Sequence, residues 1–174
     1  MAGGKNTSNK LNNTLLYLAQ ILNNYNIQNW FIAYGTLLGI IRDNSCINND
    51  DDVDIICDKC DYEKIKELLK NNFSLEYGYG INKSKDILKT KSSQLYASID
   101  FYMADIDEQG NFKDNWEKVI WSNCYQNNKL VEYNWNNITL YLPNNAKEKL
   151  KGRYGDKWEV PQNNKGPSPK KTII

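Results

Sequence analysis

The 174-residue chain contains no histidine. That absence excludes Ser-His-Asp and Cys-His nucleophile systems, and with them Cys₂His₂ and His₃ zinc sites. Cysteine is scarce: Cys46, Cys57, Cys60 and Cys124. Four cysteines are few for a secreted disulfide scaffold, so reduced thiols in a cytosolic setting are expected. Cys57 and Cys60 form one C-x-x-C, and a Cys₄ zinc site would need all four cysteines to converge without a second such pair. No stretch approaches the ~20 apolar residues of a membrane span. The opening MAGGKNTSNK has no apolar signal core, so residues 1–9 are expected to be disordered or tag-like and the protein cytoplasmic. Charge of one sign is also lacking. The net charge is +1, so no global field points to nucleic acid, which is not expected as a partner.

What is present describes a globular domain: 40% hydrophobic and 25% charged residues in a length suited to one domain. Asparagine reaches 26 residues. With Lys and Ile, it reads as the coding bias of an AT-rich genome. The near-neutral total hides an uneven distribution. Asp50 to Asp61 holds six Asp and one Lys, whereas Lys147 to the end holds eight basic and three acidic residues. An acidic pocket with a basic end suits a metal-assisted reaction on an anionic substrate; two solvated surfaces would look the same.

Leu11, Leu15, Leu18 and Leu22 make one apolar helix face behind the candidate caps Thr7 and Ser8. Residues 30–34 read as a buried strand, broken by Gly35-Thr36, with a short helix over 37–42. Residues 53–57 form a second strand, and Asp61 caps a helix ending at Asn71-Asn72. Strand-like pieces follow at 74–79, 86–91 (weak) and 97–104 (the strongest). A hairpin around Asn136-Asn137 joins 130–133 to 138–142. A helix over 145–154 precedes a loose basic tail at 162–174. The order predicts an α/β or α+β domain over 10–161, with a mixed sheet flanked by helices and a hairpin-helix extension.

Two features carry chemistry. Gly35-Thr36 lies between a strand and a helix, where backbone N–H groups can hold a phosphate and glycine allows close approach. In Asp50-Asp51-Asp52-Val53-Asp54, alternation places Asp52 and Asp54 on one strand face, able jointly to ligate Mg²⁺. Asp54 interrupts an apolar run, and a carboxylate inside a buried strand needs a reason. The Asp spacing matches the first ligands of an EF-hand, but Ile55 stands where its glycine is required. Asp100 repeats the signature within Ile99-Asp100-Phe101-Tyr102. Three Asp on neighbouring strands beside a phosphate turn suit two-metal phosphoryl transfer, with the third Asp able to accept a proton from an attacking hydroxyl.

Gly35-Thr36-Leu37-Leu38-Gly39-x-x-Arg42, then Ile47, then Asp50-Asp51-Asp52-Val53-Asp54-Ile55 resembles the LicD family, which includes bacterial phosphocholine transferases and is related to the fukutin-related protein. The Ile99-Asp100-Phe101 segment resembles the family's later Asp-bearing strand. Leu150-x-x-Arg153-Tyr154-Gly155-Asp156-x-Trp158-x-x-Pro161 resembles its C-terminal end. The resemblance covers about residues 10–161. It implies the nucleotidyltransferase fold shared with DNA polymerase beta, and Mg²⁺ (or Mn²⁺) as cofactor. It further implies transfer of a phospho-alcohol, such as phosphocholine or ribitol phosphate, from a CDP-linked donor to a sugar or glycan hydroxyl. Carried over by position, Asp52, Asp54 and Asp100 would be the catalytic and metal-binding residues. Gly35, Thr36 and Arg42 would bind phosphate, with Asp50 and Asp51 in support. Asn48-Asn49 stands where the family often has Pro-Trp. Two alternatives stay open: transfer of NMP from an NTP, and a non-catalytic interaction module of the same fold.

Overall fold

The computed structural model describes residues 5–77, 84–161 and 174. Helix α1 (Ser8–Asn24) starts where Thr7, in extended backbone, accepts a hydrogen bond from the Lys10 N–H. Its buried stripe contains Leu11, Leu15, Leu18 and Leu22. Strand β1 (Trp30–Ile32) leads into α2 (Tyr34–Asp43). Then come β2 (Asp52–Asp58), a 3₁₀ turn (Lys59–Asp61) and α3 (Tyr62–Asn72). β3 (Ile87–Lys89) and β4 (Ser98–Ile106) follow, then β5 (Phe112–Asp114) and β6 (Val119–Trp121). The hairpin β7 (Val131–Trp135) and β8 (Ile138–Leu142) precedes α4 (Ala146–Tyr154).

The main sheet has the order β1-β2-β4-β5-β6, with β3 also pairing with β4. β2 and β4 run parallel; the other pairs are antiparallel. This is a mixed α+β architecture, and a mixed sheet was expected. The register sets the site. Asp54 stands opposite Asp100, and Asp100 opposite Lys89. Cross-strand partners share a face, so three neighbouring strands present their charged residues side by side. β4 is pinned just before Asp100. The Ala97 N–H bonds to the Thr14 hydroxyl of α1, and the Ile99 N–H to that of Thr90. A slip of one residue would turn Asp100 to the opposite face.

Below the site, aromatic rings fill the space between sheet and α2. Phe31 packs edge-on against Phe112 and Trp121, each at 5.2 Å, and Tyr34 packs against Tyr102 and Trp121. Each such pair contributes about 0.5–1.5 kcal/mol beyond its buried area.

Several expectations shift. α2 begins at Tyr34, so Gly35 and Thr36 occupy its first turn instead of ending a strand. Leu75 makes only an isolated bridge to Thr90 in the segment expected as a strand, and residues 78–83 lie outside the described part. The three-residue strands β5 and β6 were not foreseen. The folded part begins before residue 10: α1 starts at Ser8, and Asn6 is buried against the acidic loop. Its N–H donates to the Asp50 carbonyl, its carbonyl accepts from Asn49, and its side-chain amide donates to the Asp51 carbonyl at 2.7 Å. Of the expected tail, residues 162–173 lie outside the described part; Ile174 bonds to the backbone of Ile120 and Ser122.

The asparagine excess has a conformational use. Among the described residues, nine of the twelve non-glycine residues with positive φ are asparagine. Asparagine tolerates the left-handed region better than most side chains. Asn136 and Asn137, at φ 49° and 63°, make the β7–β8 turn. Asn44, at φ 56°, caps α2, and its carbonyl accepts from the Trp135 indole. The composition read as coding bias therefore also supplies the turns.

Candidate active site

β2 delivers Asp52 and Asp54, and β4 delivers Asp100. Carboxylate oxygens of the three lie within 4.8 Å of one another. Asp54 is 9% exposed and Asp100 7%. Burial and the neighbouring carboxylates push Asp52 up to about 8 and Asp54 well above the ordinary carboxylate range. A buried cluster of like charges needs a compensating cation. The donor set is all oxygen, which suits a hard divalent ion such as Mg²⁺ or Mn²⁺. Among the described residues this triad is the one group of three or more His, Cys, Asp or Glu side chains placed to hold a metal. The cysteines do not assemble: Cys57 is buried in β2, and Cys60 is exposed.

The start of α2 stands against the triad. The Thr36 hydroxyl accepts from the Asp54 N–H at 2.9 Å, and the Ala33 N–H donates to the Asp54 carbonyl. Thr36 is 2% exposed and thus holds Asp54 from behind. Gly35 is packed against Asp50: a Cβ added there would lie 2.7 Å from its Oδ2. Burial, with the charge of Asp51 beside it, raises the Asp50 carboxyl. Asp51 is exposed, and its N–H donates to Asp50 Oδ1. Arg42 is not brought to the site. It lies in the last turn of α2, about 10 Å along the axis from Gly35, with its guanidinium on the Asp43 carboxylate.

Four nearby groups were not singled out. The Lys89 ammonium, 7% exposed, is bonded to Asp100 Oδ1 and lies 3.7 Å from Asp52 Oδ2. The sequence signal was weak: Lys89 ends the two-residue apolar run Ile87-Leu88 and is followed by Thr90-Lys91. The Tyr102 hydroxyl stands 3.5 Å from Asp100 Oδ2. The Tyr34 hydroxyl donates to Asp114 at 2.5 Å. The Arg153 guanidinium, in the last turn of α4, lies 4.4 Å over the Tyr34 ring. The C-terminal motif thus closes onto the start of α2, and the adjacent Tyr154 feels the charges of Asp54 and Asp50.

The comparisons agree with this geometry. The family model "LicD/FKTN/FKRP, nucleotidyltransferase domain" matches residues 26–146, which include every member of the triad and Lys89. A solved structure, the lincosamide antibiotic adenylyltransferase LnuA with lincomycin bound, superposes with a TM-score of 0.56 at 15% identity. The match covers 79% of this chain and 82% of that one, and it shows the nucleotidyltransferase fold. No curated protein matches the sequence. No helix among the described residues is long and apolar enough to cross a membrane.

Proposed function

The chain belongs to the LicD/FKTN/FKRP nucleotidyltransferase-domain family, and from that premise we propose that it is a Mg²⁺-dependent transferase moving a phospho-alcohol from a CDP-linked donor to a sugar or glycan hydroxyl. The observation that carries this reading is the triad itself: three carboxylates in register on adjacent parallel strands, beside the start of a helix. Asp52, Asp54 and Asp100 would hold the divalent ion, which would neutralise charge on the donor phosphates. The backbone at Gly35 receives a phosphate at the positive end of α2. Thr36 fixes Asp54, and Asp50 supports the turn. Asp100 accepts the proton of the attacking hydroxyl, whose oxygen bonds to the phosphorus of the phospho-alcohol as the bond from that phosphorus to the CMP oxygen breaks and CMP leaves. Arg42 is not assigned to phosphate, because Asp43 engages it at the far end of α2.

Transfer of NMP from an NTP is a second reading. It is favoured by the fold shared with an adenylyltransferase. Both reactions attack a nucleotide phosphate, so the same carboxylates serve either.

Asp52→Asn and Asp54→Asn are each expected to lower transfer at least a thousandfold, with the far-UV circular dichroism spectrum unchanged; wild-type turnover in either would overturn the assignment. Donor identity is read by thermal shift with Mg²⁺ and CDP-choline, CDP-ribitol or ATP. A donor at about a hundred times its Kd stabilises by roughly 2–3 kcal/mol. A shift with CDP-alcohols supports the first reading, and a shift with ATP alone supports the second.

A further inference from the structure

Lys89 is the feature that the reaction outlined above leaves unused. Lysine is almost never buried without a partner, yet this one is 7% exposed. Its ammonium is bonded to Asp100 and lies 3.7 Å from Asp52, so two of the three proposed metal ligands already face a cation. It is also firmly held. Its residue stands opposite Asp100 in the β3–β4 ladder, and its carbonyl accepts from the Glu76 N–H at 2.8 Å. With all three carboxylates ionised, Lys89 leaves the cluster two negative charges, the charge one divalent ion neutralises.

We infer that Lys89 is a positioning residue that stands in for one of the two metal ions of two-metal phosphoryl transfer, holding Asp100 and limiting the donor-free centre to a single divalent ion. The inference rests on the triad being a metal centre. It adds that the chain supplies one of the cations itself. Lys89 keeps Asp100 Oδ1 engaged, while Oδ2 stands 3.5 Å from the Tyr102 hydroxyl. A second divalent ion placed beside the ammonium would meet a like charge in a weakly screened interior.

The test counts Mn²⁺ by electron paramagnetic resonance titration of the full chain without nucleotide. Wild type is expected to take up one ion. Lys89→Met is expected to take up a second ion. Lys89→Arg, which keeps the charge, is expected to stay at one ion with wild-type affinity. A merely structural lysine would not move the count. Two ions in wild type overturn the inference, as does Lys89→Met that still binds no more than one ion; in both cases the metal-centre reading stands. No Mn²⁺ bound to wild type overturns that reading and the inference with it. Where Lys89→Met does not fold without metal, Lys89→Gln is counted in its place, and a wild-type count of two is decisive whatever the variants do.

Discussion

Asp114 shows what burial does to a single carboxylate here. At 1% exposure it accepts hydrogen bonds from the Trp116 and Glu117 N–H groups and the Tyr34 hydroxyl. Loss of water outweighs these partners and, aided by the charge of Glu117, pushes its carboxyl from 3.8 up to about 6. Folding therefore favours the protonated form. The resulting stabilisation is full below about pH 3.8 and gone once pH passes about 6, a loss of roughly 3 kcal/mol. Asp114→Asn does not titrate, so its stability relative to wild type is expected to rise by up to that amount between pH 4 and 6 and stay level above. Urea unfolding at several pH values measures the difference; a constant difference across that window would contradict it. The residues of the triad were legible because each charge breaks an apolar run or starts one. Lys89 carried no such mark: it ends the three-residue strand β3 and is followed by Thr90 and Lys91. Arg42 is paired with Asp43 in the last turn of α2, a placement that spacing along a sequence does not reveal.

At the scale of elements, α2 and its return loop connect the two halves of the family motif. Gly39 has the loop laid on it: an added Cβ would sit 2.5 Å from the Ser45 carbonyl oxygen and about 3 Å from Ile47. Those neighbours are largely backbone and cannot step aside. Gly39→Ala is expected to cost about 1–3 kcal/mol, despite alanine's better helix propensity. At Gly35 the nearest neighbour of an added Cβ is the carboxylate end of the Asp50 side chain, so the stability of Gly35→Ala is expected to stay within about 1 kcal/mol of wild type. Thermal denaturation of both variants separates these cases; equal losses would contradict the packing argument. α1, α3, α4, β2, β4 and the hairpin were readable because apolar periodicity or turn chemistry persisted over enough residues. β5 and β6, three residues each, show too little alternation to read. The start of α2 was displaced because Tyr34, at φ 49°, enters the helix through a conformation that aromatic residues rarely adopt.

Across the whole molecule, remote segments converge on the acidic loop. Asn6 straps it from the N-terminal side, and Arg153 with Tyr154 closes the start of α2 from the C-terminal side. Composition gave no hint of the strap, because one polar residue ahead of a helix looks like solvent-exposed lead-in. Asn6→Ala removes the side-chain hydrogen bonds to the Asp50 and Asp51 carbonyls and is expected to cost about 1–2 kcal/mol. Amide hydrogen exchange at Asn49, whose N–H donates to the Asn6 carbonyl, is expected to quicken at the same time. Unchanged protection there would mean that the loop holds itself. The domain and its acidic centre were thus readable from local pattern, whereas the strap and the closure depend on contacts between distant parts of the chain.

The parallel pairing of β2 with β4 has a kinetic side. Asp54 and Asp100 are 46 positions apart in the chain, so the pocket does not exist until a long, entropically slow loop has closed. Divalent ions can then recognise only chains that have completed this step. Metal bound at the proposed centre is expected to retard unfolding while leaving the refolding rate nearly unchanged, which makes ion uptake a clock for the pairing of β2 with β4.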